Sequence, residues 1–191
     1  MRLVILFTEK NSIYKTLDCD CYDEKRNALT YAGNSPVIAH PPCRLFSKMR
    51  KFSTANINEK KLAYWAVKLI RQNGGILEHP AGSLLWKEMN LPLPGQVDEF
   101  GGTSILVWQS WFNHPCQKKT LLYICGLKIS EIPIYKINFN AIEYVVSKSR
   151  KRNGKKEISK SKRSTTPVKF AKWLIECLLL IVKNKSTCLT R

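Results

Sequence analysis

Residues 58–80 read Asn58-Glu59-Lys60-Lys61-Leu62-Ala63-Tyr64-Trp65-Ala66-Val67-Lys68-Leu69-Ile70-Arg71-Gln72-Asn73-Gly74-Gly75-Ile76-Leu77-Glu78-His79-Pro80. Apolar residues Leu62, Trp65, Ala66, Leu69 and Ile70 recur at helical spacing, which predicts an amphipathic helix with Asn58 as N-cap and Glu59 in its first turn. Gly74-Gly75 stops it, and Ile76-Leu77 opens a strand. Just upstream, Pro36-Val37-Ile38-Ala39 is a short continuous apolar run of the kind that a buried parallel strand requires. The two runs and the helix between them form a strand–helix–strand unit, the signature of an α/β sheet.

Working back towards residue 1, Leu3-Val4-Ile5-Leu6-Phe7 predicts a first strand and Cys19-Asp20-Cys21-Tyr22-Asp23 a shorter second one, with about two helical turns over Lys10–Leu17. Working forward, the Pro- and Gly-rich stretch 91–102 interrupts the rhythm. Ser104–Trp108 and Thr120–Ile124 then read as a hairpin-like close to the sheet. Ser147–Arg163 holds nine Lys or Arg against one Glu, a net +8, and is expected to be a mobile basic loop. Pro167, capped by Thr165 or Thr166, opens a last amphipathic helix through Ala171, Leu174, Ile175, Leu178 and Val182. The expected organisation is an α/β domain over 1–146, the basic loop over 147–164, and a helix and tail over 165–191 that pack on the same domain.

The whole chain has 191 residues, 44% of them hydrophobic, which suits one folded domain and excludes a disordered polymer. A formal charge of +18 calls for a polyanionic partner, with DNA or another nucleic acid the obvious choice. Seven unpatterned cysteines and no signal-peptide start predict a reduced, cytoplasmic setting. The apolar stretch Trp173–Val182, broken by Glu176, is too short to span a bilayer.

Each of the three histidines is followed by proline: His40-Pro41-Pro42-Cys43, Glu78-His79-Pro80 and His114-Pro115-Cys116. Each lies just beyond a predicted strand, where open α/β sheets build their sites, so the three are expected to share one pocket. Two prolines fix an extended backbone and present Cys43 stiffly as a candidate nucleophile, with Arg44 beside it to stabilise a thiolate. The plain alternative is an inert cysteine in a structural turn. Glu78 suits a general acid or a hydrogen-bond partner for a base, against a salt-bridging role, and His79 is a further candidate for the working group. Gln117, Lys118 and Lys119 suit phosphate contacts, against a merely solvated pair. His40, Cys43, His79, His114 and Cys116 also carry zinc-ligand chemistry, although no Cys-x-x-Cys accompanies them.

With these residues in view, the chain resembles the cytosine-5 DNA methyltransferases, and more closely the compact methyltransferase-like proteins of bacteriophages. Ala39-His40-Pro41-Pro42-Cys43-Arg44-Leu45-Phe46-Ser47 looks like the family's Pro-Cys nucleophile loop. Leu77-Glu78-His79-Pro80 looks like its Glu-Asn-Val element, and Phe112-Asn113-His114-Pro115-Cys116-Gln117-Lys118 like the Gly-His-Pro-x-Gln-Lys stretch of the compact group. The resemblance covers residues 1 to about 130 and implies a Rossmann-like methyltransferase-type sheet. That sheet would be shortened at its N-terminal side, since only about thirty residues separate Phe7 from Val37. It further implies Cys43 attacking carbon 6 of cytosine, Glu78 engaging ring nitrogen 3, and S-adenosylmethionine held near Phe7, Asp23, Pro41 and Pro42. Where the family carries a glycine-bearing loop after its first strand, this chain has Phe7-Thr8-Glu9-Lys10-Asn11-Ser12.

No target-recognition domain is visible. Nucleic-acid contacts are expected from Arg44, Lys48, Arg50, Lys51, Gln117, Lys118, Lys119, Arg150, Lys151, Arg152 and Arg163, with the loop 91–102 a further candidate. Two other functions stay open: a non-catalytic DNA-binding protein on a degenerate methyltransferase fold, and a metal-dependent base- or nucleotide-modifying enzyme.

Overall fold

In the computed structural model, which describes residues 2–47, 50–137, 142, 144–145 and 155–189, six strands form one mixed sheet in the order β2-β1-β3-β4-β6-β5. β1 (Val4–Leu6), β2 (Asp20–Tyr22), β3 (Val37–Ala39) and β4 (Gly75–Pro80) are parallel, with Val4 level with Asp20 and Val37, and Val37 level with Gly75. β5 (Gly102–Trp108) takes the edge, and β6 (Lys119–Cys125) returns antiparallel to fill the gap between it and β4. The two runs expected to form a hairpin do pair. Insertion of the second beside β4 is an addition that only the tertiary structure reveals.

Strand parity divides the sheet into two faces. Leu6, Val37, Ala39 and Leu77 meet α1 (Glu59–Asn73), whose small residues Ala63 and Ala66 join Val67 and Ile70 in a buried stripe that lets the helix lie close. Ile5, Ile38, Ile76, Leu122 and Ile124 meet α4 (Val168–Leu189), which buries Phe170, Leu174, Cys177, Leu178 and Ile181. No helix among the described residues is long and apolar enough to cross a membrane. Gly75, at φ 132°, lies against the β3 backbone: a Cβ there would sit 2.2 Å from the Val37 carbonyl oxygen. The second glycine of the pair therefore serves the sheet, while Gly74 ends the helix by returning its N–H to the Ile70 carbonyl at 2.9 Å.

Three local expectations change. Lys10–Leu17 holds one 3-10 turn, Ile13–Thr16, rather than two helical turns. Its Tyr14 is drawn into the core and Asp18, at φ 52°, ends the segment. Asn58 has helical angles and makes no side-chain cap; Asn56 supplies the turn instead, through its carboxamide oxygen to the Asn58 N–H and its carbonyl to the Glu59 N–H, both at 2.9 Å. The last part of the expected basic loop carries short regular elements: β8 (Lys156–Glu157) pairs with β7 (Tyr144–Val145), and α3 (Lys160–Ser164) is capped by the Ser159 hydroxyl. A further short helix, α2 (Leu85–Glu88), follows β4.

Candidate active site

After β1 the chain passes to β2 on one side and then to β3 on the other, so the crevice of this sheet opens where β1 and β3 end. Phe7 and His40 stand at those two ends. Phe7 adopts φ 60°, in the left-handed region that bulky side chains rarely enter, and its ring packs edge-on against Trp65. The turn that glycine ordinarily permits is thus made without one. The next residue, Thr8, is buried; its N–H donates to the Tyr22 carbonyl at 3.0 Å, and its hydroxyl has no partner.

From β3 and β4 a chain of hydrogen bonds crosses the α4 face. The buried Tyr14 hydroxyl lies 3.1 Å from His40 Nε2, and His40 Nδ1 lies 3.0 Å from Glu78 Oε2. Gln109 Nε2 donates to the other Glu78 oxygen at 3.0 Å and to Thr120 Oγ1 at 3.1 Å. Burial raises the Tyr14 phenol well above its ordinary pKa, so Tyr14 keeps its hydrogen and donates it to His40 Nε2. With Nε2 as acceptor, the His40 ring hydrogen on Nδ1 is donated to Glu78. Burial pushes Glu78 upward, but Lys118, the His40 hydrogen bond and the charges of both histidines outweigh it, and the carboxyl falls to about 2.

Cys43 is exposed and stands at the head of the 3-10 turn Arg44–Phe46, whose Phe46 carbonyl accepts the Leu84 N–H at 2.9 Å and ties the loop to the segment beyond β4. Its pKa is raised by the surrounding protein and by Glu78, and lowered in part by Lys118 and Arg163. The cation expected to steady it is engaged elsewhere: Arg44 pairs with Glu59 at 2.8 Å. Half-buried Lys118 takes that place, acting on Cys43 and Glu78 together.

The three His-Pro motifs occupy one end of the sheet but not one pocket. Glu78 and His79 are neighbours on a strand and point to opposite faces. His79 is fully buried between the rings of Phe46 and Trp86, and burial holds it neutral, down to about 4. His114 sits in the connection between β5 and β6, just after the 3-10 turn Gln109–Phe112, buried beside Cys116. No group of three or more His, Cys, Asp and Glu with metal-binding placement occurs among the described residues.

Asp23 follows β2 directly. The Lys15 ammonium at 2.6 Å, with the Arg26 and Lys25 amides on its other oxygen, holds its carboxyl at about 2. Pro41 is buried and Pro42 half-buried under the crevice. Arg50, Lys51, Gln117 and Lys119 are exposed, Lys119 lying over the Trp108 ring. Arg163 is half-buried. Lys48, Arg150, Lys151 and Arg152 lie outside the described residues.

Two members of the network went unread in the sequence. Tyr14 is the only aromatic residue in Lys10–Leu17, and Gln109 the first polar residue after an apolar strand; both are weak signals of a buried partner. No protein-family model matches this chain, and no curated protein is significantly similar to it.

Proposed function

We propose that the chain is a nucleic-acid-modifying enzyme of the cytosine-5 methyltransferase kind, with Cys43 as nucleophile and Glu78 as the group that serves ring nitrogen 3. One observation carries the reading: the proline-stiffened loop that presents an exposed cysteine also holds, through His40 Nδ1 at 3.0 Å, the buried Glu78 carboxylate of the adjoining strand. The strand order supports it too, because the crevice at β1 and β3 adjoins the same loop.

On this reading Cys43 is a thiol at neutral pH and Glu78 a carboxylate. As sulfur bonds to carbon 6, the thiol proton passes to Glu78 and from there to nitrogen 3. The electron pair of the carbon 5–carbon 6 double bond moves between carbons 4 and 5 while the carbon 4–nitrogen 3 π pair moves onto nitrogen 3 to take the proton, leaving carbon 5 nucleophilic as the end of an enamine. His40, fixed by Tyr14, keeps Glu78 oriented throughout. A base in a duplex must first leave the stack.

The methyl donor of the reaction is S-adenosylmethionine, and the mouth of β1 suits it on two observations. The buried Thr8 hydroxyl has no partner, and the backbone at Phe7 takes the turn that usually needs glycine. Phe7, Thr8, Pro41 and Pro42 would wall the group, and Asp23, which as a carboxylate keeps acceptor capacity beyond its present hydrogen bonds, would meet the ribose. When bound it would supply an electrophilic methyl group for carbon 5.

The test is covalent trapping on an oligonucleotide carrying 5-fluorocytosine, with the methyl donor present. Fluorine cannot leave carbon 5 as a proton does, so the adduct should persist, and Cys43→Ser should abolish it. An unmodified protein that still binds the oligonucleotide would favour a second reading, a non-catalytic DNA-binding protein, for which the raised Cys43 pKa and the engaged Arg44 speak.

A further inference from the structure

Between α4 and the segment 133–137, which has no regular secondary structure, lies a groove of about 570 Å³. We propose that this groove is a track for a single nucleic-acid strand, which sets its phosphates on Lys136, Lys169 and Lys172 and its bases against the apolar wall of 133–137. That the strand is the one whose base reaches Cys43 rests on the function proposed above; the groove's affinity for single strands does not.

The groove is cationic. Lys169 and Lys172 stand at i and i+3 on one face of α4, Lys136 lines the other wall, and Glu176 is the one carboxylate of the lining. The three lysines are exposed, and among the described residues none has a hydrogen-bond, ion-pair or ring partner. Elsewhere the chain engages lysines of its own: Lys15 meets Asp23, Lys60 meets Glu88, and Lys185 meets the Asn34 and Asn73 carbonyls. Three unengaged ammonium groups about one groove, in a chain of formal charge +18, call for a ligand with negative charges along its length.

The walls are built before any ligand arrives. Trp173 Nε1 donates to the Pro133 carbonyl at 2.9 Å, the Tyr135 ring stacks on Phe112 at 4.0 Å, and Phe112 lies 5.2 Å from Trp173. These contacts pin the segment to the helix. On the same wall Ile134 is fully exposed and Ile137 is 40% exposed. An apolar wall beside free cations selects among polyanions. A duplex turns its bases inward and would offer the groove phosphates alone, whereas a single strand presents phosphates and base faces together.

The groove also adjoins the chemistry. The 3-10 turn Gln109–Phe112 sends Gln109 to Glu78 at 3.0 Å and Phe112 to Tyr135, so one turn joins the buried network to the groove wall.

The experiment measures binding of the whole protein to a labelled short oligothymidylate by fluorescence anisotropy over a series of salt concentrations, with a duplex of equal length and an oligoglutamate peptide as competitors. The strand should bind more tightly than the duplex, and the peptide should not displace it. Lys136→Gln, Lys169→Gln and Lys172→Gln together should weaken the strand and reduce the slope of log affinity against log salt by about 2, at roughly 0.7 for each phosphate contact. A charge-matched control on the α1 side of the sheet, Lys61→Gln, Lys68→Gln and Lys87→Gln, should leave that slope in place. Ile134→Ser, at a fully exposed position, should narrow the preference for strand over duplex without changing the slope. Equal losses of slope in the two triple variants would overturn the groove, and a duplex or peptide that binds as tightly as the strand would overturn its occupant. Because binding is read without turnover, an unreactive Cys43 leaves the groove standing.

Discussion

His40 Nδ1 meets Glu78 Oε2 at 3.0 Å, so the histidine that opens the Pro-Pro-Cys loop also holds the carboxylate of the next strand. Both side chains are about nine-tenths buried. Replacing His40 by Leu leaves that carboxylate with Gln109 and Lys118 alone. Removing one partner of such a pair should cost roughly 3 kcal/mol, measured by urea denaturation at neutral pH. Tyr14→Phe, which removes only the outer link, should cost about 1 kcal/mol.

Acid should destabilise the protein in two steps. His79 is held at about 4 against an ordinary 6.5, so the unfolded chain binds its proton first, and stability falls as pH drops from 6.5 to 4. Glu78 is held at about 2 against 4.5; its contribution is present above 4.5 and is lost as pH falls towards 2. Midpoints of denaturation measured between pH 7 and 3 should decline throughout. In His79→Phe the upper part of the decline should flatten while the lower part stays.

Lys118 and, after it, Arg163 are the cations that lower the Cys43 thiol pKa; Arg44 and Lys119 are not among its causes. Lys118→Gln should raise the Cys43 thiol pKa further and slow its alkylation at pH 8. Arg44→Gln and Lys119→Gln should leave the alkylation profile in place, because those side chains serve Glu59 and Trp108. A profile that moves with Arg44 and not with Lys118 would reverse the assignment.

At Phe7 the usual order of alanine and glycine should invert. Both substitutions delete the ring contact with Trp65, but only alanine must hold a Cβ at φ 60°. Phe7→Gly should be more stable than Phe7→Ala by about 1 kcal/mol, a difference read by thermal or chemical unfolding.

The sequence made the strands visible because four of them are continuous apolar runs or end at prolines and glycines. It made α1 visible through its period, although the buried stripe centres on Ala63, Ala66, Val67 and Ile70 rather than on Leu62 and Trp65. Short alanines mark the closest approach to a sheet, and hydropathy alone weighs them below leucine. The position of β6 between β4 and β5 lay beyond reading, since pairing partners are chosen in three dimensions. At the site, the proximity of Cys43 and Glu78 was legible from their places at adjoining strand ends. The roles of Tyr14, Gln109 and Lys118 were not, because burial and orientation turn ordinary polar residues into a network.

Half of the core depends on a helix made long after the strands it covers. Ile5, Ile38 and Ile76 share one core cluster with Phe170, Leu174, Cys177, Leu178 and Ile181 of that helix. During synthesis the first four strands must therefore wait, with one oily face open, until α4 leaves the ribosome. Such a chain has a vulnerable interval at every round of translation, in which chaperones would decide how much of it matures.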